Sequence, residues 1–227
     1  MKKRLMILVS GFLFIAFTGF AQQDRPADWA FFGRYEKANA QVNTPPKAVF
    51  LGNSITDGWW GIDSAFFINN NYLGRGIGGQ TTAEMLVRFR ADVINLKPQA
   101  VVILAGTNDI AQNIGYISLE NIFGNIVSMV ELAKVHNILP VLCSILPVYD
   151  YRWRPGLEPA GKIVRLNSWI KDYAEKNGCV YVDYHSVLKD ERDGLPQQYS
   201  FDGVHVNIAG YKIMEEIVHE ALTNALK

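Results

Sequence analysis

Three polar side chains of this sequence, a serine, a histidine and an aspartate, have the types and the spacing that nucleophilic catalysis needs. Ser54 follows Gly52 and Asn53 in a glycine-led turn, and Asp202 and His205 stand three residues apart in one segment. A serine hydroxyl becomes a useful nucleophile only when a base takes its proton and a third group orients that base. The pattern predicts acyl transfer, with Ser54 as nucleophile, His205 as general base and Asp202 as the group that orients the imidazole.

The same chemistry needs hydrogen-bond donors for the negative charge that develops on the attacked oxygen. Gly79 lies in a glycine-rich stretch, and Asn108 lies in a short polar stretch that follows another apolar run. Backbone N–H groups near Gly79 and the side-chain amide of Asn108 are therefore predicted to point at the same place as the Ser54 hydroxyl.

A regular alternation of strands and helices is the feature that must bring these residues together. Short, nearly continuous apolar runs are typical of parallel strands that are buried on both faces. Such runs cover residues 48–51, 100–105, 140–145 and 179–182, with a weaker strand at 72–76. Helical patterns cover residues 28–42, 81–96, 118–136, 158–177 and 207–225. Thr81 and Glu84 have the spacing of a capping box at the start of one of these helices.

The alternation predicts a three-layer α/β/α sandwich built on a five-stranded parallel sheet. In such a sheet the ligand crevice lies outside the carboxyl ends of the strands. Ser54, Gly79 and Asn108 each follow a predicted strand, so the fold places all three at one edge of the sheet.

Four short motifs in chain order resemble the conserved blocks of the SGNH hydrolases, also called GDSL-type esterases and lipases. They are Gly52-Asn53-Ser54-Ile55-Thr56, Ile77-Gly78-Gly79-Gln80-Thr81-Thr82, Gly106-Thr107-Asn108-Asp109, and Asp202 with His205. The subgroup that the chain resembles most comprises bacterial esterases similar to platelet-activating-factor acetylhydrolase subunits. Asn53 and Gln80 stand where many members have aspartate, and neither is a catalytic position.

The resemblance implies a flavodoxin-like fold and a serine esterase that needs no cofactor and no metal. It also implies an oxyanion hole made of the N–H groups of Ser54 and Gly79 and the amide of Asn108. The implied substrates are carboxylic esters with short acyl or acetyl groups on a small molecule, glycan or lipid, while lysophospholipase or thioesterase specificity stays open. The alternative is a catalytically silent carbohydrate- or lipid-binding module on the same fold.

Three tryptophans near the predicted crevice are candidate substrate contacts. Trp59 and Trp60 come soon after the nucleophile, and Trp153 lies in the aromatic segment 149–154. Their rings could stack on a sugar or cover an acyl chain, and packing of the loops against the body is an equal alternative.

The overall charge excludes one class of partner. The chain has 22 basic and 22 acidic residues among 227, and its isoelectric point is near 6.9. A nucleic-acid-binding domain would normally be basic, with clustered lysine and arginine. The composition therefore argues against a nucleic-acid partner.

The N-terminus has the pattern of a secretory signal peptide. Lys2, Lys3 and Arg4 precede a run of residues 5–20 without charge, and Gly19 and Ala21 are the small residues expected before a cleavage site. We expect residues 1–21 to be removed, which leaves residues 22–227 as one domain with three excess acidic groups. The protein is then periplasmic or secreted, without stable membrane insertion. An uncleaved anchor is the alternative.

Two other kinds of site are conceivable, and the residues favour neither. The glycines of residues 74–79 have the spacing of a dinucleotide-binding motif, but that motif needs an acidic residue about 20 positions further on, and Gln99 stands near that distance. A metal site would draw on imidazole and carboxylate groups, for which the candidates are Asp183, His185, Asp202 and His205.

The two cysteines, Cys143 and Cys179, both fall in predicted buried strands. A disulfide must be considered in an exported protein. A bond between neighbouring strands is often strained, so we expect buried free thiols.

Overall fold

A five-stranded, fully parallel sheet forms the centre of the protein in the computed structural model, which describes residues 28–227. The strands are β1 (Ala48–Gly52), β2 (Tyr72–Gly76), β3 (Ala100–Leu104), β4 (Leu139–Cys143) and β5 (Val180–Val182). Their order across the sheet is β2-β1-β3-β4-β5, which is the flavodoxin-like order. All five strands match the predicted ones to within two residues at either end.

Two helical layers cover the two faces of the sheet, which confirms the predicted three-layer α/β/α sandwich. The helices are α1 (Glu36–Ala40), α2 (Ser54–Ile62), α3 (Ser64–Asn70), α4 (Thr82–Asp92), α5 (Thr107–Ile110), α6 (Leu119–Val135), α7 (Pro159–Lys176), α8 (Tyr184–Leu188) and α9 (Ile208–Ala225). Helices α4, α6 and α7 pack on one face, while α2, α3, α8 and α9 pack on the other. Successive strand residues alternate between these two cores, as the two-residue period of a strand requires.

The four long predicted helices are present, and their ends lie within a few residues of the predicted ones. The predicted 81–96 helix is the exception in detail, because it stops at Asp92 and continues as a 3₁₀ turn over Ile94–Leu96. The predicted capping box is present at its start, where the Glu84 carboxylate accepts hydrogen bonds from the N–H and the hydroxyl of Thr81, both at 2.8 Å.

The predicted helix over residues 28–42 is wrong. The segment instead contains a 3₁₀ turn at Phe32–Arg34 and the five-residue helix α1. Phe31 has a left-handed backbone with φ 57°, and the Asp28 carboxylate accepts the N–H groups of Phe32 and Gly33. These local bonds satisfy the backbone groups that a helix from residue 28 would have used. The predicted signal peptide, residues 1–21, lies outside the described residues.

The two cysteines are free thiols, and one of them is not where the pattern placed it. Cys143 is buried at the end of β4, and burial raises the pKa of its thiol to about 12. Cys179 precedes β5 and is half-buried, so its predicted burial in a strand is wrong. No helix within residues 28–227 combines the length and the hydropathy needed to cross a membrane.

Candidate active site

A serine, a histidine and an aspartate from distant parts of the chain form one line of hydrogen bonds at the carboxyl edge of the sheet. Ser54 is the first residue of α2, directly after β1 and its N-cap Asn53. Its Oγ lies 3.1 Å from Nε2 of His205, and Nδ1 of the same imidazole lies 2.8 Å from Oδ2 of Asp202. The structure thus brings together the three residues that the sequence predicted as nucleophile, base and orienting group.

Asp202 is held so that it also shapes the loop that carries His205. Its Oδ1 accepts the N–H groups of Val204 at 2.9 Å and of His205 at 2.7 Å. Burial alone would raise the pKa of Asp202, but these backbone donors and the imidazole outweigh it and lower the pKa below its usual value. The carboxylate therefore stays ionised beside the imidazole, which is the state that stabilises an imidazolium.

Three N–H donors suited to an oxyanion follow the strands β1, β2 and β3, in Ser54, Gly79 and Asn108. The Ser54 N–H is at the first position of α2, where a helix has no acceptor of its own. Gly79 has φ +79°, a left-handed conformation that favours glycine. Within residues 28–227 the N–H groups of Ser54 and Gly79 have no hydrogen-bond acceptor. The amide Nδ2 of Asn108 donates to the Gln80 carbonyl at 2.9 Å, which leaves its second N–H for a ligand.

The stretch from Gly76 to Gln80, which we call the oxyanion loop, approaches the start of α2 closely. A Cβ on Gly76 would come within 2.1 Å of the backbone nitrogen of Asp57. Glycine is therefore required where β2 ends, because any side chain there would push the loop away from the nucleophile's helix. Asp57 in turn accepts the Gly78 N–H on Oδ2 at 3.3 Å.

A fully buried arginine ties the oxyanion loop to the strand before the nucleophile. Arg88 donates from Nε to Gln80 Oε1 at 2.6 Å and from Nη2 to the Gly52 carbonyl at 3.0 Å. Its charge is balanced by Asp92, 2.9 Å from Nη1. Gln80 and Asn53 thus have defined roles here: Gln80 accepts from Arg88, and Asn53 caps α2 by accepting the Ile55 N–H.

Asp109 fastens the loop of Asn108 to the start of α4. Its carboxylate accepts the backbone N–H of Thr82 on both oxygens and the Thr82 hydroxyl at 2.6 Å. Burial raises the pKa of Asp109 to about 6, against the lowering effect of these hydrogen bonds. The side chain lies in the interior and has a bracing role.

The three candidate tryptophans have different surroundings. Trp59 is 1% exposed, stacks on Phe66 and Tyr211, and donates from Nε1 to Glu215 at 3.0 Å. The prediction that Trp59 contacts substrate is therefore wrong. Trp59 lies four residues after Ile55 on the same face of α2, and that face packs into the core. Because no helix was predicted over these residues, the inward direction of Trp59 could not be predicted.

Trp60 and Trp153 are both about half exposed, but only Trp153 lies beside the triad. Its ring centroid is 6.4 Å from that of His205, and its Nε1 donates to Oδ1 of Asn113 at 3.4 Å. Asn113 also donates to the Gly79 carbonyl at 3.1 Å. Trp60 instead lines a cavity with Arg34 and residues of β2.

The conceivable metal site does not assemble within the described part of the chain. No group of three or more histidine, cysteine, aspartate or glutamate side chains there could hold an ion. Asp183 caps α8 by accepting from Ser186, and His185 is buried with its N–H bonded to Ser144.

The sequence of residues 50–213 matches the profile of the GDSL-like Lipase/Acylhydrolase family. The chain belongs to this family. The five-stranded parallel sheet with helices on both faces is the fold expected of it, so the resemblance seen in the four motifs is confirmed at the level of family and fold.

The chain is also similar to solved structures and to curated proteins. A proposed acylhydrolase from Bacteroides fragilis NCTC 9343 is 46% identical, with a TM-score of 0.87, and the match covers 89% of this chain and 100% of that one. A GDSL-like lipase from Bacteroides thetaiotaomicron VPI-5482 is 44% identical, with a TM-score of 0.83 and coverage of 86% and 98%. The acetylxylan esterase of Geobacillus stearothermophilus is 22% identical over 208 residues, which cover 77% of this chain and 92% of that one.

The chain spans 35% and 42% of the length of two other curated relatives that it matches. Membership of the GDSL-like Lipase/Acylhydrolase family supports hydrolase and esterase activity.

Three residues near the site were not predicted from the sequence: Asp57, Arg88 and Asn113. Each forms a hydrogen bond with a backbone group or a side chain of the oxyanion loop. In the sequence, each shows only as a polar residue after a strand or on a predicted helix.

Proposed function

We propose that this GDSL-family protein is a carboxylic ester hydrolase that works through an acyl-enzyme on Ser54. The observation that carries the proposal is the continuous line from Ser54 Oγ through His205 to Asp202, with contacts of 3.1 and 2.8 Å. A base within hydrogen-bond reach of the nucleophile, itself oriented by a third group, is the arrangement that serine activation requires. The test is hydrolysis of p-nitrophenyl acetate by the native protein and by Ser54→Ala.

In the first half-reaction Ser54 Oγ attacks the ester carbonyl carbon while Nε2 of His205 takes the hydroxyl proton. The carbonyl oxygen becomes an oxyanion, held by the N–H groups of Ser54 and Gly79 and by the amide of Asn108. The ionised carboxylate of Asp202 stabilises the imidazolium. When the tetrahedral intermediate collapses, the C–O bond to the alcohol breaks and the alcohol leaves with the proton from Nε2.

In the second half-reaction water attacks the acyl-enzyme and gives its proton to Nε2. The second oxyanion uses the same donors. Collapse breaks the bond to Ser54 Oγ, which recovers its proton from the imidazolium, and the acid departs. Every proton transfer passes through one imidazole nitrogen, so the reaction needs no cofactor.

Loss of the Asn108 amide tests the oxyanion part of this proposal. In Asn108→Ala we expect kcat for p-nitrophenyl acetate to fall about 10²–10³-fold, because one preorganised donor to the developing charge is lost. The Michaelis constant should change little, since the ground-state carbonyl is less negative than the oxyanion. Steady-state kinetics of the purified variant measures both constants.

The control for this variant is Asn125→Ala. Asn125 donates from its amide to the hydroxyl of Thr82, and that hydroxyl also bonds to Asp109, the residue after Asn108. It should keep the native kcat. An equal loss in the two variants would assign the effect to loop packing rather than to oxyanion binding.

For the alcohol part of the substrate we propose an acetylated carbohydrate. Trp153 is 47% exposed and lies directly beside His205, which donates the proton to the leaving alcohol. A flat apolar ring at that position suits the face of a sugar. The similarity to an acetylxylan esterase supports this choice.

The exchange Trp153→Ala tests the sugar proposal. We expect the Michaelis constant for an acetylated xylo-oligosaccharide to rise roughly tenfold, for about 1.4 kcal/mol of lost ring contact. The constant for ethyl acetate, which has no ring to stack, should stay near the native value. Trp153→Phe keeps an aromatic face while losing the Nε1 bond to Asn113, and it should stay close to native on both esters. Equal effects of Trp153→Ala on the two esters would contradict the sugar platform.

We also propose that the protein is exported and that residues 1–21 are removed as a signal peptide. The support is the basic start, the uncharged run and the small residues at positions 19 and 21. An extracellular or periplasmic place suits an enzyme that acts on polymer-linked acetyl groups.

A further inference from the structure

Residues 28–42, which we call the N-terminal brace, lie outside the part of the chain that matches the family profile. They nevertheless contact the oxyanion loop at both of its ends. The Tyr35 hydroxyl donates to the Gly76 carbonyl at the start of the loop. Gln80, at the end of the loop, donates from Nε2 to the Ala30 carbonyl at 2.9 Å.

A third connection reaches the middle of the loop through Asp57. Nη2 of Arg34 lies 3.2 Å from Asp57 Oδ1, and Asp57 Oδ2 accepts the Gly78 N–H at 3.3 Å. One carboxylate therefore joins the brace, the nucleophile's helix α2 and the residue before Gly79. The Arg34 pair is exposed and contributes little stability by itself, so the main bonds of the brace are those of Tyr35 and Gln80.

The brace is itself hydrogen-bonded to the rest of the protein, so its bonds can restrain the position of the oxyanion loop. The guanidinium of Arg75 lies 4.8 Å from the centre of the Tyr35 ring and donates from Nε to Asn39 Oδ1 at 2.8 Å. Asn39 donates in turn to Asp92 at 2.7 Å. Asp92 is the partner of the buried Arg88, which also binds Gln80. Brace, edge strand and oxyanion loop form one connected polar network.

We propose that the N-terminal brace is a positioning element for catalysis and that Tyr35 is its principal positioning residue. The inference rests on the proposed function, because it assigns the Gly79 N–H to the oxyanion. Preorganised donors stabilise a transition state only when they do not have to reorient during the reaction. The brace bonds to Gly76 and Gln80 directly and to Gly78 through Asp57. It thereby restrains the residues on each side of Gly79, whose backbone, as a glycine, has more conformational freedom than other residues.

Tyr35→Phe tests this inference, because it removes one hydroxyl and keeps the ring that packs on Arg75. We expect kcat for p-nitrophenyl acetate to fall roughly fivefold, the effect of one lost hydrogen bond, with an unchanged Michaelis constant. The affinity for an arylboronic acid, whose adduct with Ser54 places a negative oxygen in the oxyanion hole, should fall by the same factor. All measurements are made well below the melting temperature of each variant.

The matched control is Tyr72→Phe. Tyr72 is on the same edge strand, at the opposite end from the site, and its hydroxyl contacts His219 at 3.4 Å. This variant should keep native kcat and native boronate affinity even if its melting temperature drops as much as that of Tyr35→Phe. Such a result supports positioning, since general loosening of β2 would affect both variants alike.

Three results would overturn the inference: native kcat and boronate affinity in Tyr35→Phe, equal losses in the two tyrosine variants, or a change confined to the Michaelis constant. Measuring Ser54→Ala alongside separates this from failure of the proposed function. If Ser54→Ala is inactive and Tyr35→Phe is native, only the brace inference fails. If Ser54→Ala keeps its turnover, the proposed function fails.

Discussion

Replacement of Ser54 by alanine is expected to lower kcat for p-nitrophenyl acetate by about four orders of magnitude or more, because the acyl-enzyme can no longer form. The residual rate would come from the oxyanion donors and from binding alone. The fold should persist, since the Ser54 side chain is only partly buried and its hydroxyl bonds, among residues 28–227, to His205 alone. Steady-state kinetics and circular dichroism measure the two effects.

Ser64→Ala is the matched control for this variant. Ser64 is likewise the first residue of a helix, α3, directly after an N-cap residue, Asp63. It should keep native turnover. A fluorophosphonate should label the native protein and Ser64→Ala but not Ser54→Ala. A protein that resists labelling and lacks turnover would be a binding module on this fold, while near-native turnover of Ser54→Ala would exclude the proposed mechanism.

The second large effect is expected from Asp202→Asn, with a loss of kcat of about 10⁴-fold, as serine proteases show for the equivalent change. The asparagine oxygen can still accept the N–H groups of Val204 and His205, so the loop keeps its shape. The amide that replaces Oδ2 is a donor, however, and it favours the imidazole tautomer with the proton on Nε2. In that tautomer Nε2 cannot accept the proton of Ser54.

Asp190→Asn is the control, because Asp190 also holds a turn by accepting backbone N–H groups, those of Arg192 and Gly194. It lies outside the active site and should keep native kcat. Comparable melting temperatures of the two variants, with loss of kcat in Asp202→Asn alone, are the expected pattern. A small effect of Asp202→Asn would mean that another group orients His205.

The sheet and the catalytic line were predictable because their signals are local. Buried parallel strands show as apolar runs whatever the tertiary context, and the strands β1, β2 and β3 each end beside one of the polar motifs. Asp202 and His205 are three residues apart, so a single turn of the chain brings their side chains together. The capping box of Thr81 and Glu84 was readable for the same reason.

The errors concern features that depend on tertiary contacts. Trp59 points inward because α2 begins at Ser54. This helix was not predicted, because its sequence, which follows a glycine-led turn, has no clear helical pattern. The break in residues 28–42 follows from bonds of Asp28 and from contacts with β2. The half-exposure of Cys179 depends on where β5 begins. Each of these three features depends on which parts of the chain pack together in the folded protein.

The buried Arg88 restricts how the proposed active site could be redesigned. Substitutions that widen the substrate range are best placed at Trp153, which is 47% exposed and whose Nε1 makes a long hydrogen bond of 3.4 Å to Asn113. Gln80 offers no such freedom, because it is buried and bonds to Arg88, Ala30 and Asn108. Removing its oxygen would leave the buried Arg88 guanidinium without one acceptor, and a buried donor without its partner costs about 1–3 kcal/mol, or more when it is charged. Substitutions should therefore be made around Trp153, on the side of the proposed leaving group. The oxyanion loop should be kept unchanged, because its Gln80 is bonded to the buried Arg88.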